Sequence, residues 1–259
     1  MKAVSTLDNV EASVSYFSRE ELKVLLERSN YQGWKSLAIN WGIIILVLIA
    51  VALYPHPLLI IVGMAILAGR QLGLAILMHD CAHYSLFATK SQNQWVGRWL
   101  CGAPLLIDLD GYRSYHLKHH QTAGSVGDPD YPNYQNYPVS RKSFTRKVLR
   151  DLSGITGVKT LLILLSMSLG LADYTLAYKS SDEKTKKTFK EALNLAKQFL
   201  LAPLLFHLTF FALLFFLGVP WLHGLWLLTY LTIYMLVLRI RNAAEHAALP
   251  ERFSPDPRL

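Results

Sequence analysis

The sequence predicts an all-α membrane protein, with four transmembrane helices in two hairpins, cytoplasmic histidine-bearing helices and one interfacial helix. Three observations predict it. Apolar residues fill 52% of the 259 positions and the mean hydropathy is +0.26, high for a water-soluble globule. Four stretches are apolar for long enough to cross a hydrocarbon core, for which about 20 residues suffice. Lysine and arginine are missing from two short connections between those stretches and abundant in the other connecting segments, the asymmetry that orients membrane proteins.

Each element follows from its residues. Residues 1–35 are polar and lack a basic start followed by an apolar run, so they form a cytoplasmic N-terminal segment and not a signal peptide. The first span, 36–54, reads SLAINWGIIILVLIAVALY without a charge. A short PHP turn leads into the second span, 57–78, and Pro220 divides a second pair, 199–219 and 221–238. A fifth apolar stretch, 157–171, is shorter and contains Lys159. The turns 54–57 and 218–224 carry no Lys or Arg, whereas 88–150 carries Arg141, Lys142, Arg146, Lys147 and Arg150 among others, and 179–197 carries six lysines. The positive-inside rule then puts the two turns outside and both termini in the cytoplasm. If 157–171 crossed, those lysines would face outside and His246 would be separated from His116, so it is read as lying on the membrane surface. No repeat, low-complexity tract or second soluble domain is visible, and 1–259 reads as one domain.

Charge and cysteine usage narrow the classes further. The net charge of +8 is carried by residues that flank apolar spans, which argues for membrane orientation and against a nucleic-acid partner. Two cysteines, Cys81 and Cys101, make no disulfide framework and fit a reducing compartment.

Of nine histidines, six are grouped. MHDCAH places His79 and His83 at i and i+4 where the second span ends, and YHLKHH places His116, His119 and His120 at i, i+3 and i+4; on a helix each set shares a face. RNAAEH places Asn242 and His246 at i and i+4 beyond the fourth span. Charge and parity bring all three groups to one side of the membrane without any use of the histidines themselves. A lone surface histidine near a bilayer is simply solvated, and an i, i+4 pair arises by chance, but this convergence points to metal binding, because neutral imidazole suits iron, zinc and copper. Five or six imidazoles exceed the needs of one tetrahedral zinc and suggest two metals. His56, His207 and His223 stand alone and are given no role, except that His207, inside a span, is expected to hydrogen-bond a neighbouring helix.

HDCAH followed by HLKHH resembles the first two histidine boxes of the integral-membrane fatty acid desaturase and hydroxylase superfamily, and DPDY (residues 128–131) and NAAEH are similar to its later pattern. The resemblance runs from the first span to the C-terminus. It implies a non-haem centre of two iron ions at the cytoplasmic end of a four-helix bundle, with His79, His83, His116, His119, His120 and His246 as ligands and Asn242 beside the metal through a water. It implies desaturation of a fatty acyl chain borne on a lipid, coenzyme A or a carrier protein, using O2 and a donor such as ferredoxin or a cytochrome b5-like protein, among membrane lipids. The superfamily's third box, of HxxHH type, does not occur before the sequence ends in FSPDPRL; the expectation is a chain cut short before that box and inactive alone.

The chemistry explains such a site. Taking hydrogen from an unactivated hydrocarbon exceeds what side-chain acids and bases can do, and the protein's share is ligand geometry, orientation of those ligands and exclusion of water. Asp80, next to His79, either orients an imidazole or solvates the end of the span; Asp108, Asp110, Asp128 and Asp130 are open to the same two readings, DPD being also an ordinary turn. Cys81 reads as a small packing residue. Arg70, inside the second span, falls on the helix face opposite His79 and is expected to pair with a polar group between helices. Two alternatives remain at this point: a lipid or carotenoid hydroxylase or ketolase of the same superfamily, and a membrane zinc metalloprotease, since HDCAH is similar to HExxH with Asp for Glu and LDG (residues 109–111) to a protease aspartate motif.

Overall fold

The computed structural model describes residues 17–123, 127–131, 136–169 and 188–246. In chain order the α-helices among these residues are α1 Arg19–Leu25, α2 Asn30–Leu53, α3 Pro57–Ala82, α4 Lys90–Val96, α5 Leu109–Thr122, α6 Arg141–Leu152, α7 Ile155–Ser168, α8 Phe189–Phe216, α9 Trp221–Leu231 and α10 Ile233–His246. Among the described residues, four segments are long and apolar enough to cross a membrane: α2, α3, α8, and α9 with α10 taken together.

The first hairpin is α2 and α3. α2 starts at Asn30, ahead of the apolar run, because Ser29 caps it and accepts from the Gln32 N–H at 3.4 Å. Lys35 thus lies inside the helix. Pro57 opens α3, where its missing N–H costs nothing. Asn40 of α2 is buried and donates to the Arg70 carbonyl at 3.1 Å; Gly73 leaves it room, since a Cβ there would lie 2.3 Å from its Oδ1. The Arg70 side chain itself makes no hydrogen bond or ion pair among the described residues, so the expected interhelical partner is the backbone of its residue and not its guanidinium.

The second hairpin departs from expectation in two places. α8 begins at Phe189, well before the apolar run, because Thr188 and Glu191 form a reciprocal capping box. The fourth span, read as one helix over 221–238, is broken at Thr232 (φ −118°, ψ −90°) into α9 and α10. The hydroxyls of Thr229 and Thr232 bond back to the carbonyls of Leu225 (2.8 Å) and Leu228 (2.6 Å), an arrangement that bends helices. The break receives α7: a Cβ on Gly157 would come 2.2 Å from the Leu231 carbonyl oxygen, so only glycine permits this approach. α7, at 14 residues, is shorter than the four spans.

Between the hairpins sits backbone that is not α-helical. Gly97–Gly102 forms a π-helical turn, Ala103–Leu105 a 3₁₀ turn, and Leu106 turns the chain back in the left-handed region at φ 62°. Such backbone survives in a membrane protein where neighbouring groups satisfy it. Here the indole N–H of Trp41 donates to the Leu100 carbonyl at 3.0 Å, and that of Trp226 to the Pro104 carbonyl at 3.2 Å. Gln71, fully buried, joins the hairpins by donating to the Trp226 carbonyl at 3.1 Å. The main apolar core lies among α2, α3, α9 and α10 around Ile44, Leu67, Leu74 and Trp226. The outward faces of α2, α3 and α8 expose Leu46, Ile61, Leu208 and Phe215, apolar surface suited to lipid.

Candidate metal centre

The site is built where α3 ends and α5 runs past it. Asp108 caps α5, accepting from the Gly111 N–H at 2.7 Å, and its buried carboxyl is pushed above the usual carboxylate range by burial first, with that hydrogen bond acting the other way. The 3.6-residue repeat then puts His116 and His120 on one face, as it puts His79 and His83 on one face at the end of α3. The two faces meet. His79, His83, His116 and His120 each offer a nitrogen, and these lie within 4.8 Å of one another. Ring centres are 4.6 Å apart for His79 and His116 and 4.9 Å for His83 and His120.

Three features make this group fit a cation. The Nε2 atoms of His116 and His120 are 2.9 Å apart, a hydrogen-bond distance that leaves both nitrogens close enough to turn onto one ion. The buried Nε2 of His83 has no hydrogen-bond partner among the described residues, a cost that a metal bond would remove. Burial first, and then the neighbouring imidazoles, push the His116 pKa down to about 3 and lower that of His83. Both rings are therefore neutral at physiological pH, the form that binds metal.

Carboxylates stand behind two of the rings. Asp80 Oδ1 lies 3.0 Å from His79 Nδ1, which turns the other ring nitrogen toward the group, although Asp80 is also partly exposed. Asp128, buried, holds His119 Nδ1 at 2.8 Å and accepts from the Asp130 N–H, also at 2.8 Å; the DPD turn and an imidazole anchor are one structure. His119 is thus adjacent to the four-histidine group, with its ring centre 5.6 Å from that of His120, but outside it. Asp130 accepts from the Tyr115 hydroxyl, whose pKa is pushed up by burial and then by that carboxylate. Cys81 packs on Gly97, where a Cβ would lie 2.6 Å from its own, as a packing residue should.

α10 approaches the same end of the bundle. Burial pushes up the pKa of the Tyr112 hydroxyl, opposed chiefly by the charge of Arg241, and the Tyr112 ring stacks on His116 with centres 5.1 Å apart. Asn242 is half-buried on α10. His246 is the last residue of that helix; its side chain, and residues 247–259 where the end of the chain was expected to fall short, lie outside the described residues. The sequence reading missed Tyr112 and Arg113, whose only local signal is a position one turn ahead of HLKHH. It also left His207 and His223 alone. His207 does meet a neighbouring helix, and its partner is His223, with Nδ1 3.1 Å from Nε2; the pair lies apart from the four-histidine group.

The sequence profile described as "Fatty acid desaturase" matches residues 53–258. The chain is 32% identical over 73 residues to a sn-1 acyl-lipid omega-3 desaturase (ferredoxin) of Synechocystis sp., a stretch covering 28% of this chain and 19% of that protein. It is 31% identical over 75 residues to the enzyme of the same name from Nostoc sp., covering 27% and 21%. It is 35% identical over 54 residues to a Delta(12) fatty acid desaturase of Mortierella alpina, covering 21% and 13%. The matched stretches thus span about a fifth or less of those relatives. No solved structure matches the chain.

Proposed function

Because this chain belongs to the fatty acid desaturase family, we propose that it acts as a membrane di-iron oxidoreductase that introduces a double bond into a fatty acyl chain. The observation that carries the reading is the group of four imidazole nitrogens within 4.8 Å at the shared end of α3 and α5. Two iron ions would draw on His79, His83, His116, His119, His120 and His246, with Asn242 acting through a water. Bound there, iron supplies the oxygen-derived oxidant that side chains cannot. The balance is one –CH2–CH2– unit, one O2, two electrons and two protons giving –CH=CH– and two waters.

The chain's own residues supply the rest. Asp80 and Asp128 hold the rings of His79 and His119 in one tautomer. Tyr112 covers the face of His116 and keeps water from it. The exposed apolar flanks of the bundle admit substrate from the bilayer. The Synechocystis relative is named for an acyl-lipid substrate and ferredoxin; the same classes are proposed here. The metal end faces the cytoplasm by the distribution of Lys and Arg, and α7 lies at the membrane surface.

Two measurements test the reading. Metal analysis of the chain extended through an HxxHH segment should find two irons per molecule, and cells expressing that form should gain a double bond in their fatty acids, whereas residues 1–259 alone should hold less iron and leave the profile unchanged. Zinc as the sole metal, or a hydroxylated product, would replace this reading. Cysteine-accessibility labelling at positions 92 and 184 should report the same side of the membrane.

A further inference from the structure

We infer that Arg113 is the positioning residue that sets the two histidine-bearing helix ends against each other, an inference that rests on the reading of the imidazole group as a metal site. A helix leaves its last carbonyls without intrahelical partners, and α3 ends at Ala82 between His79 and His83 of the group. Arg113, on α5 one turn ahead of His116, reaches across to this end. Its Nε donates to the Ala82 carbonyl at 2.9 Å, and its Nη2 at 3.3 Å to the Cys81 carbonyl, which also accepts from the Tyr84 N–H at 3.0 Å. Its Nη1 donates at 2.9 Å to both Gln94 Oε1 and Asp110 Oδ1.

The guanidinium is itself held. Asp110 also accepts from Arg98 and, at 2.8 Å, from Gln94. Tyr84, the residue after His83, takes the left-handed conformation at φ 55°, and its ring lies over the guanidinium at 4.3 Å. One planar cation, 14% exposed, therefore joins the turn bearing His79 and His83 to the turn bearing His116 and His120, where a positive charge also favours a helix C-terminus. Lysine cannot replace it, because an ammonium is a point donor and this site uses a fork in which each edge has its own acceptor. Metal ligands tolerate errors of about 0.5 Å, so loss of this tie should act on metal affinity more than on folding.

The test uses the full chain in detergent micelles and cobalt(II) as probe, read by its visible d–d absorption, with thermal unfolding measured on the same samples. Arg113→Ala and Arg113→Lys should each weaken cobalt binding by about 10- to 100-fold and alter the d–d band. Added guanidinium ion at low millimolar concentration should restore part of the affinity of Arg113→Ala. Leu67→Ala, which empties a fully buried position about 18 Å along α3 from His79, serves as the stability control. It should unfold earlier while its cobalt affinity stays within about twofold of the parent. Arg113 variants with parental affinity, or a Leu67→Ala loss as large as theirs, overturn the inference alone. A parent chain that takes up no cobalt overturns the metal reading and the inference with it.

Discussion

Asp151 and Arg239 give the sharpest quantitative test of how the bundle is held. Asp151, near the end of α6, is completely buried, and the Arg239 side chain on α10 is 18% exposed. The two share a bidentate contact, one arm of it Nη2 to Oδ1 at 2.8 Å, and the Thr156 hydroxyl donates to the same carboxylate at 2.6 Å. Asp151→Asn keeps the volume and the Thr156 bond but turns a donor toward the guanidinium and leaves a buried cation uncompensated. Breaking a buried pair from one side costs about 3–5 kcal/mol, roughly a 10²- to 10³-fold shift of the unfolding equilibrium or more. Replacing both members by apolar residues of similar size is often neutral. Asp151→Leu combined with Arg239→Met should therefore recover most of what Arg239→Met alone loses. The assay is unfolding of the detergent-solubilised chain by heat and by denaturant, with the four proteins compared as a double-mutant cycle. Single variants within about 1 kcal/mol of the parent, or a double variant no better than the worse single, would refute the argument that this pair anchors α10.

Other expectations follow from the same geometry. His83→Gln should lower the metal content of the purified chain, measured by elemental analysis, whereas His56→Gln, in the turn between α2 and α3, should leave it unchanged. Asp108→Asn keeps a good N-cap residue while removing a carboxyl whose pKa is raised in the folded state. A raised carboxyl contributes stability below its unfolded pKa and loses it as pH rises through the folded value, so the melting temperature of Asp108→Asn relative to the parent should be more favourable at pH 7 than at pH 4. An unchanged difference across that range would show that the burial cost is not felt. Gly157→Val drives a side chain into the Leu231 backbone and should cost about 1–3 kcal/mol, seen as earlier unfolding; a parental melting curve would mean that α7 does not seat against the break at Thr232.

The spans and the pairing of histidines on shared faces are legible in the residues alone, because both depend on spacing. A hydrocarbon core sets the length of an apolar run, and the helical repeat brings His79 to His83 and His116 to His120 whatever surrounds them. Even the meeting of the two boxes was legible, since charge and parity put both at the same side. Other features depend on contacts between residues distant in sequence. The break at Thr232 lies inside an unbroken apolar run, and hydroxyls bonding back along the helix and a glycine on α7 fix its place. The π-helical turn at Gly97–Gly102 and the 3₁₀ turn after it read as an ordinary apolar segment; the indoles of Trp41 and Trp226, on other helices, each satisfy one carbonyl, Leu100 in the first turn and Pro104 in the second. His119 differs from His116 and His120 because Asp128 holds its Nδ1, a difference invisible in HLKHH. Arg113 passes in sequence as one more basic residue beside a span. Its role exists only once the carbonyls of Cys81 and Ala82 stand within reach of its side chain, since hydrophobic spacing is written along the chain and the satisfaction of buried polar groups is written between its parts.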